Sequence, residues 1–197
     1  MPSAQETEYF DLISLGTGEA GKYIAWMISS AQGKHCAAIE RQYYGGSCPN
    51  VACLPSKNVI WSAKVANLCS HGETFGLWHK YGASTVDTAA MKRRKQGMID
   101  GLIQLHKENF KKTGVEVVWG DGKFVGPKTI EVIDKEGGKR RLEADTVIVS
   151  TSSRAPIPGI EGLEEASPLT HVEMLNVDEL PEDLIVIGAG YVGLELA

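Results

Sequence analysis

The feature that most constrains the fold is a strand, a glycine turn, a helix and a second strand within the first forty residues. "EYFDLISLG" is a short apolar run that ends in glycine, and Ala20, Ile24 and Met27 then recur at helical spacing. "KHCAAIE" follows as a second short strand that ends on Glu40. This pattern is a β-α-β unit, and sheets built from such units bind ligands beyond the carboxyl ends of their strands.

The turn of this unit has the pattern G-x-G-x-x-G, with Gly16, Gly18 and Gly21 as its glycines. They permit a tight turn and close approach of a pyrophosphate, while the helix N-terminus offers amide groups to an anion. Glu40 lies about twenty residues further on, where a carboxylate can accept hydrogen bonds from ribose hydroxyls. The pattern favours dinucleotide binding, and a plain glycine turn followed by a surface acid stays open.

The same pattern returns in "LIVIGAGYVGLELA", again after a predicted strand and at the head of a predicted helix. Two such fingerprints in one chain suggest a flavin and a nicotinamide that exchange electrons. The Pro- and Gly-rich stretch "RAPIPGIEGLEEASPLT" between them reads as a connector. We therefore predict a first domain over 1–155, a connector over 156–175, and over 176–197 the start of a second domain. One strand and two helical turns cannot bury their own apolar face, so we expect the chain to be a fragment.

Two of the four cysteines lie in "YYGGSCPNVACLPSKN", as Cys48 and Cys53. Pro49 and Pro55 flank the start of a helical stretch, and a thiolate near a helix N-terminus is stabilised by the dipole and the amide groups. A metal site normally needs four ligands, and His35-Cys36 is the one other nearby cluster. The pattern favours a redox pair over a metal clasp or two inert buried thiols, which both stay open.

Two helices are predicted after the cysteines, from Cys53 to about Cys69 and from Asp87 to about Lys112. Four apolar residues of the second helix form a stripe that should pack against a sheet, with Ile99 and Phe110 beside it. The stripe consists of Met91, Met98, Leu102 and Leu105. The basic run Lys92–Lys95 is predicted to lie on its solvated face.

From Val115 the apolar residues alternate over short runs, which predicts mostly antiparallel strands and then a final apolar strand, "TVIV". Together with the β-α-β unit, this indicates an α/β fold: a doubly wound dinucleotide-binding domain interrupted by a β-meander.

Composition limits the partners and the compartment. The chain has 197 residues, 43% of them apolar, and a formal net charge of −5, which gives no general attraction to nucleic acid or to an anionic membrane. The acidic, polar start "MPSAQETEYFD" is unlike a secretory signal, so a cytoplasmic location is predicted. In that compartment the thiol pool keeps structural disulfides reduced, so any disulfide here is expected to be functional.

The stretch "GGSCPNVACLPSK" resembles the redox signature of the FAD-dependent pyridine nucleotide-disulfide oxidoreductases, the flavoprotein disulfide reductases. This family contains glutathione reductase, dihydrolipoamide dehydrogenase and mercuric reductase. The two fingerprints, Glu40, "GDGKFVGPKTIEV" and "TVIVSTSSRAPIPGI" occur in the order typical of the family, so the resemblance covers nearly the whole chain. It is nearest to the dihydrolipoamide dehydrogenase-like and mercuric reductase-like branch, and it implies Rossmann-like folds for both dinucleotide domains.

The resemblance also implies cofactor contacts. The first fingerprint would bind the pyrophosphate of FAD, Glu40 its adenosine ribose, and Cys48 would continue along it. The implied FAD contacts are Gly16, Gly18, Gly21, Glu40, Gly46, Ser47, Lys57, Gly122 and Thr151. The second fingerprint would bind NAD(P)H, with Tyr191 covering the nicotinamide pocket. The implied contacts there are Gly188, Gly190, Tyr191 and Gly193.

Catalytic roles follow from the same resemblance. Cys53 would face the flavin as the charge-transfer thiolate, and Cys48 would be the interchange thiol that attacks substrate. Lys57 would lie near flavin N5 and pair with Glu195. Electrons would pass from NAD(P)H through FAD to the Cys48-Cys53 disulfide and then to a disulfide or metal-ion substrate.

The full-length parent would be a homodimer, without nucleic acid or membrane as a partner. The 197 residues alone are expected to bind FAD weakly or not at all and to lack reductase activity. An alternative is a truncated flavin-binding or interaction module without turnover. One departure from the family is Ser150-Thr151-Ser152-Ser153, where Ala-Thr-Gly-Ser is usual. Serine in place of that glycine costs free energy if the backbone there has a positive φ.

Overall fold

The computed structural model of the chain describes residues 6–77 and 86–197. The chain divides into two compact units, Met1–Asn50 with Gly101–Ser153 and Val51–Asp100 with Arg154–Ala197. Among the described residues, none of the helices is both long enough and apolar enough to cross a membrane.

The first unit is built on one sheet of six strands in the described part of the chain. The strands are β1 (Thr7–Leu15), β2 (Cys36–Glu40), β3 (Glu116–Trp119), β4 (Asp121–Phe124), β5 (Thr129–Ile133) and β6 (Lys139–Val149), in the order β3-β2-β1-β6-β5-β4. Helix α1 (Glu19–Gln32) connects β1 to β2, and α2 (Ser47–Asn50) follows β2. The predicted β-α-β unit and the α/β class are confirmed.

The sheet is parallel on one side and antiparallel on the other. β1 pairs in parallel with β2 and β6, and β2 with β3, whereas β4, β5 and β6 form an antiparallel meander. The sequence predicted mostly antiparallel strands from Val115, and for β3 this was wrong. The 26-residue helix α4 (Thr88–Thr113) runs directly before β3, and a helix of that length allows a crossover to a parallel strand.

The core of this unit lies on both faces of the sheet. Leu12 and Ile13 are consecutive on β1 but belong to different apolar clusters, because successive strand side chains point to opposite faces. On the Leu12 face, Trp26 of α1 meets Phe110 of α4 edge to face, with ring centroids 5.0 Å apart. The two helices therefore cover the same face of the sheet.

Helix α4 buries the predicted apolar face in part: Ile99 and Phe110 are buried, whereas Met91, Met98 and Leu102 are half-buried. Its most buried side chains are Lys95, Ile99, His106 and Phe110. Leu105, which was predicted to pack, is 50% exposed. The prediction counted apolar residues only, whereas long polar side chains also bury their stems when their polar ends are bonded.

The second unit contains α3 (Cys53–Ser70), a 3-10 turn (Gly72–Phe75), the first half of α4, α5 (His171–Met174) and α6 (Tyr191–Leu196). The helix predicted from Cys53 is confirmed. The strand predicted before the second fingerprint, residues 184–187, is absent, because no neighbouring strand among the described residues supplies hydrogen-bond partners.

The basic run of α4 binds neighbouring segments of this unit. Lys95 Nζ donates to Leu175 O and to Asn176 Oδ1, and Arg94 donates to the carbonyl oxygen of Asn58 and to Ser62 Oγ. Burial and the nearby charge of Lys92 lower the pKa of Lys95. The interpretation of this run as a solvated face was therefore wrong for Lys95, whereas Arg93 and Arg94 are exposed.

Candidate functional site

The first fingerprint forms a turn that only glycine fits. Gly16 has φ of +101°, and a Cβ there would lie 2.2 Å from Ser150 O. A Cβ at Gly21 would lie 1.9 Å from Ser14 Oγ. Gly18 is the N-cap of α1 and has no side chain that could cap the first turn, although the Gly21 amide lies 3.4 Å from Ser150 Oγ. The turn therefore leaves the N-terminus of the 14-residue helix α1 without a capping side chain at Gly18.

The segment that carries Cys48 crosses this turn. Gly45 and Gly46 have φ of +89° and +83°, values that favour glycine, and a Cβ at Gly46 would lie 2.5 Å from Gly18 Cα. Ser47 and Cys48 follow directly in α2, and both are half-buried. The close contact of the two backbones brings residues 45–50, here called the redox segment after the role predicted for Cys48, to the N-terminus of α1.

A third segment, Ser150–Ser153, reaches the same place from the end of β6. The Ser150 amide donates to Leu15 O at 2.8 Å, and a Cβ at Gly16 would lie 3.3 Å from Thr151 Cα. Ser152 Oγ and Ser47 Oγ are 2.8 Å apart, which joins this segment to the redox segment. Three loops thus meet at the carboxyl ends of β1 and β6, where open α/β sheets bind their ligands.

Glu40 lies at the end of β2, as predicted, and its carboxylate is 8% exposed. Its Oε1 accepts hydrogen bonds from three successive backbone amides, those of residues 41, 42 and 43. Its Oε2 accepts from the Thr17 amide at 3.0 Å and from Thr17 Oγ1 at 2.5 Å. These five donors stabilise the buried charge.

Thr17 is a site residue that the sequence analysis missed. Its hydroxyl bonds Glu40 and also accepts from the Gly45 amide at 3.0 Å, so it joins the fingerprint, the end of β2 and the glycine pair. Since a variable position of the fingerprint carries no signal of its own, only the three-dimensional contacts reveal this role.

Lys22, in the first turn of α1, was also missed. Its side chain is fully buried, and Nζ donates to Glu19 Oε1 at 2.6 Å and to Gly45 O at 3.0 Å. On the other side of the same turn, a Cβ at Gly45 would lie 2.4 Å from His106 Nδ1. Burial, and then the charge of Lys22, lower the pKa of His106. The Gly45–Gly46 turn is therefore held between a buried ammonium and a buried imidazole.

Gly122, in β4, packs beside the same strand ends. A Cβ there would lie 2.6 Å from Leu15 Cδ1 and 3.2 Å from Ile39 Cγ2. A larger residue would displace side chains at the ends of β1 and β2, so the absence of a side chain matters at this position.

In the second unit, Cys53 is the first residue of the 18-residue helix α3, and its thiol is exposed and free. One turn later, Lys57 Nζ is in contact with Glu195 Oε1 of α6. These two residues are 138 positions apart. The structure thus brings together the pair that the family resemblance implied, and both side chains are partly exposed.

The second fingerprint also forms a glycine turn at a helix start. Gly188 has φ of +104°, and a Cβ at Gly193 would lie 2.7 Å from Gly188 O. Gly190 is the N-cap of α6, and Tyr191, its first helical residue, is 81% exposed.

Cys36, on β2, is fully buried, and burial raises the pKa of its thiol. Within residues 6–77 and 86–197, no group of three or more His, Cys, Asp or Glu side chains is arranged to hold a metal ion.

Comparison with known families gives this geometry a context. The profile described as pyridine nucleotide-disulphide oxidoreductase matches residues 10–197. The chain belongs to this family. Its relatives in the family include dihydrolipoyl dehydrogenase of Bacillus subtilis, 31% identical over 186 residues, which are 94% of this chain and 40% of that protein. Mitochondrial dihydrolipoyl dehydrogenase 1 of Arabidopsis thaliana is 34% identical over 94% of this chain and 36% of its own length.

Leghemoglobin reductase of Vigna unguiculata is 33% identical over 94% of this chain and 35% of its own length. Among solved structures, the Cu(II) complex of the HOCl-induced flavoprotein disulfide reductase RclA from Escherichia coli has a TM-score of 0.78. Its sequence identity is 24%, and the match covers 95% of this chain and 39% of that one, so it supports the fold alone. The chain spans 35–40% of the length of these curated relatives.

Proposed function

We propose that the chain is the FAD-binding and disulfide-bearing part of an NAD(P)H:disulfide oxidoreductase of the dihydrolipoamide dehydrogenase-like and mercuric reductase-like branch. In this proposal residues 1–155 form the FAD domain, 156–175 a connector and 176–197 the start of the NAD(P)H domain. The observation that supports this proposal most directly is that three segments lie together at one end of the parallel strands: the fingerprint, the redox segment and Ser150–Ser153.

The residues of these three segments fit a dinucleotide. The glycines of the fingerprint let the turn pack closely against Ser14 and Ser150, and Gly46 lets the redox segment pack against Gly18. The N-terminus of α1 therefore lies at the carboxyl ends of the strands, where its amide groups can bind a pyrophosphate. Glu40 lies at the end of β2, where the adenosine ribose would bind, and the ribose hydroxyls would have to replace some of the five donors that its carboxylate now accepts from. Gly122 and Thr151 would line the adenine and the ribityl chain. FAD, when bound, supplies two-electron transfer between NAD(P)H and the disulfide.

The two cysteines then perform thiol-disulfide exchange. In the dithiol state, the Cys48 thiolate attacks one sulfur of the substrate disulfide, and the other sulfur leaves as a thiolate that takes up a proton. Cys53 next attacks Cys48 in the mixed disulfide, which closes the Cys48-Cys53 bond and releases the second substrate thiol. The substrate gains two electrons and two protons, and the protein dithiol loses the same number. Lys57, whose ammonium group contacts Glu195, would lie near flavin N5, and Glu195 would orient it.

A dithiol could alternatively reduce a metal ion, which would be a substrate here. The second fingerprint would bind NAD(P)H, with Tyr191 covering the nicotinamide pocket. The complete protein is proposed to be a cytoplasmic homodimer, and the 197 residues by themselves are proposed to lack reductase activity.

The proposal is tested on the intact gene product. It should purify with bound flavin and oxidise NAD(P)H when lipoamide, glutathione disulfide or Hg²⁺ is added. Cys48→Ser should abolish this turnover while the flavin stays bound, and Cys36→Ser should leave it unchanged because Cys36 is buried in β2. A flavin-free product, or full turnover by the Cys48→Ser variant, would contradict the proposal.

A further inference from the structure

Ser47 and Ser152 form a hydroxyl pair at the N-terminus of α1. Their Oγ atoms are 2.8 Å apart, and either of them could be the donor. Ser152 adopts φ of +64°, a left-handed conformation that favours glycine. A serine held in this conformation by a hydrogen bond to another segment points to a role for its hydroxyl.

The direction of this hydrogen bond decides what Ser47 can do. A serine hydroxyl has one proton to donate and can accept on its lone pairs. If Ser47 donates to Ser152, its only proton is used within the pair. If Ser152 donates, the proton of Ser47 remains available for another acceptor.

The surroundings of Ser47 favour an anion as the acceptor of its hydroxyl proton. Ser47 follows Gly46, whose backbone contacts Gly18, the N-cap of α1. The positive end of the helix dipole and the amide groups of its first turn favour a negative charge at this point. An anion there attracts the proton of Ser47, and Ser47 then accepts from Ser152, because hydrogen bonds in a chain polarise one another.

We propose that Ser152 is a positioning residue that donates its hydroxyl to Ser47 and thereby directs the proton of Ser47 to a pyrophosphate oxygen of FAD. The inference rests on the proposed FAD site and extends it to a residue outside the fingerprint and the redox segment. Ser152, whose backbone conformation favours glycine, thereby takes part in binding the phosphate. The strain at Ser152 is then offset by a hydrogen bond that strengthens when the ligand binds.

The test uses the intact gene product freed of its flavin, with FAD, ADP and adenosine as probes. Isothermal titration calorimetry gives the dissociation constant for each probe. The variants are Ser152→Ala, Ser152→Gly, Ser47→Ala and the double variant Ser47→Ala/Ser152→Ala. Ser30→Ala is the matched control, because Ser30 Oγ bonds Trp26 O in the last turn of α1.

Ser152→Ala should weaken ADP and FAD binding about fivefold, as expected for one lost hydrogen bond. Adenosine, which has no phosphate, should bind equally well to the wild type and to this variant. Ser152→Gly should give the same loss, although it relieves the positive φ. In the Ser47→Ala background, the Ser152 substitution should have no further effect, since the chain of donors is already broken.

Equal losses of ADP from Ser152→Ala in both backgrounds, or an equal loss of adenosine, would overturn the inference and leave the FAD site standing. Unchanged ADP binding by Ser152→Ala and Ser152→Gly would do the same. If the wild-type apoprotein binds neither FAD nor ADP, the proposed FAD site fails and the inference fails with it.

Discussion

Lys57 and Glu195 form an ion pair that joins the second turn of α3 to α6, across 138 positions of sequence. Their side chains are 58% and 35% exposed, so solvent screens much of the attraction. An ion pair of this kind adds little to stability, which makes the pair a candidate for a chemical rather than a structural role.

We predict that Lys57→Met in the intact gene product lowers turnover with NAD(P)H and a disulfide about a hundredfold, because it removes the positive charge that the proposed site has near flavin N5. The free energy of unfolding should change by at most about 1 kcal/mol. Lys64→Met, two turns further along α3 at an exposed position, is the control and should leave turnover unchanged. Equal effects of the two substitutions would remove Lys57 from the mechanism.

Replacement of Ser152 separates backbone strain from hydrogen bonding. Ser152→Gly should be about 1 kcal/mol more stable than Ser152→Ala in chemical denaturation, because glycine adopts the observed φ of +64° without a Cβ clash. At the next position, where the backbone is not left-handed, Ser153→Gly should not be more stable than Ser153→Ala. If the Gly and Ala variants of Ser152 unfold at the same denaturant concentration, the strain is absent.

His106 predicts a loss of stability in mild acid. Burial and the charge of Lys22 lower its pKa from the usual 6.5 in the folded chain, while the nearby Glu19 opposes this shift. As the pH falls, His106 therefore binds a proton in the unfolded state before it does so in the folded state. Its contribution to the free energy of unfolding is complete above pH 6.5 and is lost as the pH falls toward the pKa of His106 in the folded chain. This one group contributes a slope of at most about 1.4 kcal/mol per pH unit.

The measurement is the free energy of unfolding between pH 7.5 and pH 5. His106→Gln should flatten the curve in this window, whereas His71→Gln, at an exposed position, should leave it as in the wild type. A curve that is equally steep in the His106 variant would show that another group causes the acid sensitivity.

The cysteines should differ sharply in reactivity. Cys53 is exposed at the start of α3, whereas Cys36 is fully buried and burial raises the pKa of its thiol. In the reduced protein, iodoacetamide should modify Cys53 at least about a hundredfold faster than Cys36, as measured by peptide mass spectrometry. In concentrated urea the two rates should converge. Comparable native rates would contradict the burial of Cys36.

Sequence patterns predicted the parts of the fold that local periodicity determines. The β-α-β unit, helix α3 and the glycine turns all follow from spacing within short windows. The parallel pairing of β3 and the burial of Lys95 and His106 on α4 did not, because each depends on which distant segment packs beside it. The strand predicted over residues 184–187 is absent, since its apolar residues have no paired neighbour among the described residues.

The candidate site likewise contains residues that local sequence patterns predicted and residues that they did not. Glycines and cysteines carry recognisable spacings, and Glu40 ends β2 where the pattern expected it. Thr17 and Lys22 bond groups at least 23 positions away, and no local pattern marks them. The pairing of Lys57 with Glu195 was implied only by the family resemblance, because neither residue belongs to a motif that would predict the other.

The central claim is that Cys53 faces the flavin and Cys48 faces the substrate, and one spectroscopic measurement tests it most directly. Anaerobic two-electron reduction of the intact gene product should produce a long-wavelength thiolate-to-flavin absorbance band. The account predicts that this band is retained in Cys48→Ser and absent in Cys53→Ser. A band that persists in Cys53→Ser would contradict it.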